Sequence, residues 1–138
     1  MIVGNIIGWD SGNDDIFDVN SLRNRDDCLQ PFRILREVCL AQGVILHTPD
    51  VNKDLGLAAD FNLYLESDLN IRPERNYLLR METEYIVPIN GDPQYLKQFD
   101  LVFTWDDLLV DGLKYIKLNY PNPLKLSYND GYKNRQLS

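Results

Sequence analysis

The sequence predicts a single α/β domain, Rossmann-like, with a mostly parallel sheet. Short apolar runs alternate along the chain with helical patterns, which is how strand–helix–strand units look in one dimension. The 138 residues, 44% hydrophobic and 11% aromatic, can fill one core of ordinary size but not two. No internal repeat or low-complexity tract competes with that reading, and the apolar residues are too many and too evenly spread for a disordered chain.

Residues 2–7, IVGNII, form the first predicted strand, closed by the acidic stretch WDSGNDD. Residues 10–25 are polar but interrupted by Ile16, Phe17 and Val19, and read as a long loop with one turn of helix. The best helical pattern follows. Cys28, Phe32, Leu35 and Cys39 recur at spacings of four, three and four, so they share one face. Pro31 fits only the first turn of that helix, and Gly43 stands where a C-terminal cap belongs. Residues 44–47 are the second strand, closed by Thr48-Pro49-Asp50, and residues 52–59 a short helix. The third strand spans 60–65, with Phe61, Leu63 and Leu65 on one face, and the fourth spans 77–82. Asp92-Pro93 pairs an N-cap with a proline at the first helical position and opens a short helix to residue 98. Residues 101–105 and 115–118 are the fifth and sixth strands. The domain is therefore expected over 1–120. Residues 121–138, with Pro121, Pro123 and Gly131 and no core-building pattern, are expected to be a tail or interdomain connector.

Charge excludes some functions. Lys and Arg number 14 against 21 Asp and Glu, a net charge of -7, and a phosphate backbone is gripped chiefly by cationic side chains. Nucleic acid is not an expected partner, and an anionic lipid surface would repel the chain. No apolar stretch approaches the roughly 20 residues that span a bilayer. The N-terminus lacks the basic region and cleavage site of a secretory signal. Cys28 and Cys39, if on one helix, lie about 16 Å apart, too far for a disulfide. Free thiols and a cytoplasmic location are expected.

Several constellations lack the partners their chemistry needs. Gly4, Gly8 and Gly12 are four residues apart, which is neither the dinucleotide fingerprint nor a P-loop. His47, the sole histidine, sits at a predicted strand end, but no nucleophile elbow accompanies it, and one His with two distant Cys makes a poor zinc site. Asp10, Asp14, Asp15 and Asp18 lack the spacing of a calcium loop and read as a solvated acidic loop. No metal is expected.

The most informative stretch is NYLLRMETEYI. Apolar Tyr77, Leu78 and Leu79 lead to Glu82-Thr83-Glu84, where the strand should emerge from the sheet. With the chain still extended there, Glu82 and Glu84 would share a side, and like charges together raise a carboxyl pKa toward general-base work. Open parallel sheets also bind ligands beyond the carboxyl ends of their strands.

NYLLRMETEYI, then QFDLVFTWDDLLV, then YIKLNYP resembles in order the N-terminal domain of glycosyltransferase family 10, the α1,3/4-fucosyltransferases. There a hydrophobic strand ends at a glutamate in a short motif such as F-E-S-P, and a phenylalanine-containing turn later enters a strand leading to an acidic loop. The upstream VILHTPD and DFNLYLES strands fit the same domain. The resemblance implies the N-terminal half of a two-domain GT-B glycosyltransferase, facing the acceptor glycan, with GDP-fucose held by a C-terminal donor-binding domain. Catalysis would be inverting, with Glu82 the general base for an acceptor hydroxyl. Met-Glu-Thr-Glu departs from F-E-S-P, so Glu84 is a competing or cooperating base. Trp105, Asp106 and Asp107, with Glu84, are candidates for the acceptor cleft. No residue here corresponds to the family's nucleotide contacts, so the isolated chain is expected to be inactive and to hold no cofactor. The alternative is a non-catalytic flavodoxin-like or receiver-like interaction domain; a third reading is a docking domain that recruits a partner enzyme. The transferase reading requires an exposed Glu82 in a concavity and an apolar or mixed patch for a second domain.

Overall fold

The computed structural model describes residues 1–9, 12–66, 71 and 75–119; the predicted connector 121–138 lies outside them. Six strands form one all-parallel sheet: β1 (Ile2–Ile7), β2 (Val44–His47), β3 (Phe61–Leu65), β4 (Arg75–Arg80), β5 (Leu101–Thr104) and β6 (Tyr115–Lys117). Their order is β2-β1-β3-β4-β5-β6, so the chain reverses direction across the sheet at β1 and β3. This is the Rossmann-like α/β class that the sequence predicts.

Alternation along the strands makes two unlike faces. On the first face Ile6, Leu46, Leu63, Leu65 and Leu79 pack with Phe32 and Leu29, under helix α1 (Gln30–Ala41). On the second face Tyr64, Leu78 and Val102 pack with Tyr95, Leu96 and Phe99, carried by helix α3 (Pro93–Leu96) and the residues after it. Helix α2 (Pro49–Asp54) also lies on the second face, where Asn52 reaches Asn5. Right-handed crossovers account for this division. The step from β1 leftward to β2 puts α1 on the first face, and the rightward steps put their connections on the second. Ile71, between β3 and β4, packs on the second face as that rule requires.

The second face also holds a row of buried amides. Asn5, Asn62 and Asn76 occupy paired positions on β1, β3 and β4. Asn5 Nδ2 donates to Asn62 Oδ1 at 2.9 Å, and Asn62 Nδ2 to Asn76 Oδ1 at 3.2 Å. From α2, Asn52 Nδ2 donates to Asn5 Oδ1 at 2.9 Å and to the Gly4 carbonyl at 3.2 Å. Side chains that bond only in one register oppose strand slippage, which a purely aliphatic sheet resists less specifically.

The helices differ from expectation at their starts. Cys28 precedes α1 and is exposed, so the helix presents Phe32, Leu35 and Cys39 to the core without it. Helix α2 begins at Pro49, not at residue 52, with Thr48 as its N-cap residue. A threonine before a proline is a helix-opening signal as much as a strand-closing one. Strand β4 starts and ends two residues earlier than predicted. Where β1 ends, Gly8 has φ +140, and a Cβ there would overlap the Leu65 carbonyl oxygen. Only glycine lets the exits of β1 and β3 run this close together.

Candidate functional site

Beyond the carboxyl ends of β3, β4 and β5 the chain builds a connected polar layer. Glu66 directly follows β3 in the left-handed region, with φ +37, and is buried. Its Oε1 accepts the backbone N–H groups of both Met81 and Glu82. Burial pushes the Glu66 carboxyl above the ordinary glutamate range, the two N–H donors pull it back in part, and the nearby Glu82 charge adds to the rise.

Arg80, the last residue of β4, is 2% exposed. Nε donates to the Asn90 carbonyl at 3.1 Å, Nη1 to Thr104 Oγ1 at 3.3 Å, and Nη2 to Glu84 Oε2 at 3.1 Å. Asp106 Oδ2 stands 3.8 Å from Nη1. Asn90 in turn donates Nδ2 to the Glu82 carbonyl at 2.9 Å. The guanidinium therefore ties the loop after β4 to β5, and the loop carries Glu82 on a backbone held at both its N–H and its C=O.

The predicted site residues share this edge but do different work. Because β4 ends at Arg80, residues 82–84 are not in a strand, and the pleat expected to set Glu82 beside Glu84 is absent. Glu84 turns back to Arg80. Asp106 faces Arg80 and accepts the Leu108 N–H at 3.0 Å, while Asp107 pairs with Lys117 at 2.7 Å. Trp105 donates Nε1 to the Met81 carbonyl at 2.8 Å and keeps part of its ring exposed, which leaves an indole surface that could stack on an apolar sugar face. The Glu82 side chain is exposed, and among the described residues its carboxylate has neither a hydrogen bond nor an ion pair.

Sequence reasoning missed Glu66, Arg80 and Asn90. A charged residue is ordinarily assigned to the surface, and the partners that allow burial here lie 10 to 24 residues away.

Other candidates serve the fold. His47 Nδ1 meets Asp14 Oδ2 at 2.5 Å, with Arg36 Nη2 at 3.3 Å from the same oxygen, and Asp14 Oδ1 accepts the Thr48 N–H at 2.7 Å. This knot pins the loop after β1 to the end of β2. Asp15 and Asp18 accept from Ser21 and from the Asn20 N–H; Asp10 lies outside the described residues. Among the described residues no three His, Cys, Asp or Glu side chains are placed to hold a metal, and no helix is long and apolar enough to cross a membrane.

Glu66 leads to a pH prediction. Its folded-state pKa is raised, so the stability it contributes is fully present below the ordinary glutamate pKa of about 4.3 and is lost as pH rises through the folded value. Relative to Glu66→Gln, the wild-type chain should be most stable in mild acid and lose that advantage toward neutrality. Thermal melts of both proteins across that range check this; a difference in Tm that does not vary with pH would overturn it.

Comparison with protein-family models, curated proteins and solved structures finds no match for the chain.

Proposed function

We propose that this chain is the acceptor-side domain of a fucosyltransferase-like, inverting glycosyltransferase, with Glu82 as general base. One observation carries the reading: a carboxylate beyond the carboxyl end of a central strand is exposed and unengaged, while Glu66 and Asn90 fix the backbone that bears it. A sugar hydroxyl is a weak nucleophile, and a positioned carboxylate that takes its proton contributes ~10²–10⁴-fold. In this scheme the acceptor oxygen attacks the anomeric carbon as its proton passes to Glu82, and the nucleoside diphosphate leaves from the opposite face, as in inverting glycoside chemistry. Arg80 and Glu66 would be positioning residues, and Trp105 a stacking surface.

The same edge presents Tyr85, Ile86 and Leu108, at 91%, 68% and 96% exposure. Apolar side chains so exposed beside a polar site suit the packing of a second domain, which would carry the GDP-fucose donor. Strand order supports a second reading, because flavodoxin-like and receiver-like domains share the 2-1-3-4-5 arrangement. Against phosphoacceptor chemistry, the acid that follows β3 is Glu66, buried and engaged by two backbone N–H groups.

Two measurements test the proposal. NMR titration of this chain with neutral acceptor oligosaccharides should shift the Trp105 indole and Glu82 amide resonances. In the chain joined to a donor-binding domain, Glu82→Gln should cut transfer by about 10²-fold or more, with stability within about 0.5 kcal/mol of wild type. Unperturbed Trp105 and Glu82 resonances, or retained transfer, would defeat the assignment.

A further inference from the structure

Beyond β4 and β5, charge is unevenly balanced around one aromatic surface. Trp105 is fixed at two points: its indole Nε1 donates to the Met81 carbonyl at 2.8 Å, and its own carbonyl accepts from Lys117 Nζ at 2.8 Å. The ring is therefore held against the residue that precedes Glu82, with 38% of Trp105 exposed. Asp106 and Asp107 follow it in the chain. Arg80 holds Glu84 at 3.1 Å and stands 3.8 Å from Asp106, and Lys117 holds Asp107 at 2.7 Å. With Glu82 included, four carboxylates against two cations leave this group of residues at -2.

Neither of those cations is open to a ligand. Arg80 is 2% exposed and its donors are spent on Asn90, Thr104 and Glu84. Lys117 Nζ is taken by the Trp105 carbonyl and the Asp107 carboxylate. An acidic sugar lying on the indole would meet carboxylates and no free cation. A protonated amine there would meet the unpaired Glu82 carboxylate and an indole face, both of which favour positive charge. We infer that this site sorts acceptor sugars by charge, favouring one that bears a protonated amine, as a free hexosamine does, and rejecting uronic and other acidic sugars. This selectivity rests on the acceptor-side reading above and adds the substrate class to it.

The size of the effect follows from Coulomb's law. Two net charges at about 6 Å through water change the affinity of a singly charged ligand by about tenfold. Salt screens them, because the Debye length falls from ~10 Å at 0.1 M to ~3 Å at 1 M.

Three matched pyranosides separate charge from shape: methyl glucosaminide, methyl glucoside and methyl glucuronide, titrated into the full chain at a pH below the pKa of the amine. Dissociation constants come from the Trp105 indole and Glu82 amide resonances. At low salt the glucoside should bind about tenfold more tightly than the glucuronide, and the glucosaminide about tenfold more tightly than the glucoside. Each step should shrink below about threefold in ~1 M NaCl. Glu82→Gln halves the net charge and should reduce each step to about threefold at low salt. Equal affinities for the three sugars, a glucuronide that binds most tightly, or an order that ignores both salt and Glu82→Gln overturns the charge selectivity and leaves the acceptor-side reading standing. Binding of none of the three defeats that reading, and the selectivity with it.

Discussion

Replacing Arg80 by methionine should lower the unfolding free energy by about 3 kcal/mol, the largest loss expected from any single substitution at the polar edge. The side chain is buried, donates to three groups and stands 3.8 Å from a fourth, the Asp106 carboxylate; two of the four are neutral acceptors and two are carboxylates. Glu84 is 48% exposed and Asp106 23%, so water can take over much of what the guanidinium supplied to them. The Asn90 carbonyl belongs to a fully buried residue, and left without its donor it costs about 1–3 kcal/mol, whereas buried Thr104 Oγ1 loses the guanidinium but keeps the Asp106 N–H at 3.2 Å. Methionine fills the volume, so the cavity contribution is small and the loss isolates the polar one. Lysine offers a point charge in place of a planar fork and should recover only part. Urea unfolding at neutral pH gives the number; a loss below about 1 kcal/mol would mean that Arg80 is not what joins the loop after β4 to β5.

Asn62→Leu should be next in size, at about 2 kcal/mol. Asn62 sits in the middle of the amide row with no exposed surface, accepting from Asn5 and donating to Asn76. Leucine is close in volume, but it removes the acceptor of one buried amide and the donor to another. Replacing Asn5 and Asn62 together should cost less than the sum of the two single changes, because the first substitution has already removed the bond between them. Additive losses, measured by the same unfolding experiment, would mean that the amides act independently.

Much of the fold was legible because the strands follow simple alternation. Phe61, Leu63 and Leu65 turn to one cluster while Tyr64 turns to the other, as a period of two requires. Asp92-Pro93 was legible for a local reason: the Asp92 carboxylate accepts the Gln94 N–H at 2.9 Å, and no distant residue is involved. What could not be read depended on tertiary partners. Extending β4 to residue 82 treated Glu82 as a strand position and gave Arg80 no role. The burial of Arg80 depends on Asn90 and Thr104, which no local pattern connects to it. Of the candidate site, the edge and its exposed or half-buried acids Glu82, Glu84, Asp106 and Asp107 were named in advance, but buried Glu66 was not. The division of labour was not, since it is set by which carboxylates find a cation: Glu84 finds Arg80, Asp107 finds Lys117, and Glu82 is left to solvent.

The asparagines have a direction. Each carboxamide along the chain Asn52, Asn5, Asn62, Asn76 hands its hydrogen to the next in one sense. Rotating any interior amide by half a turn would set oxygen against oxygen on one side and nitrogen against nitrogen on the other. Reversal would have to be concerted, and the terminus forbids it: the Gly4 carbonyl can only accept, so Asn52 must offer its nitrogen there. A backbone oxygen on β1 thus sets the polarity of side chains three strands wide.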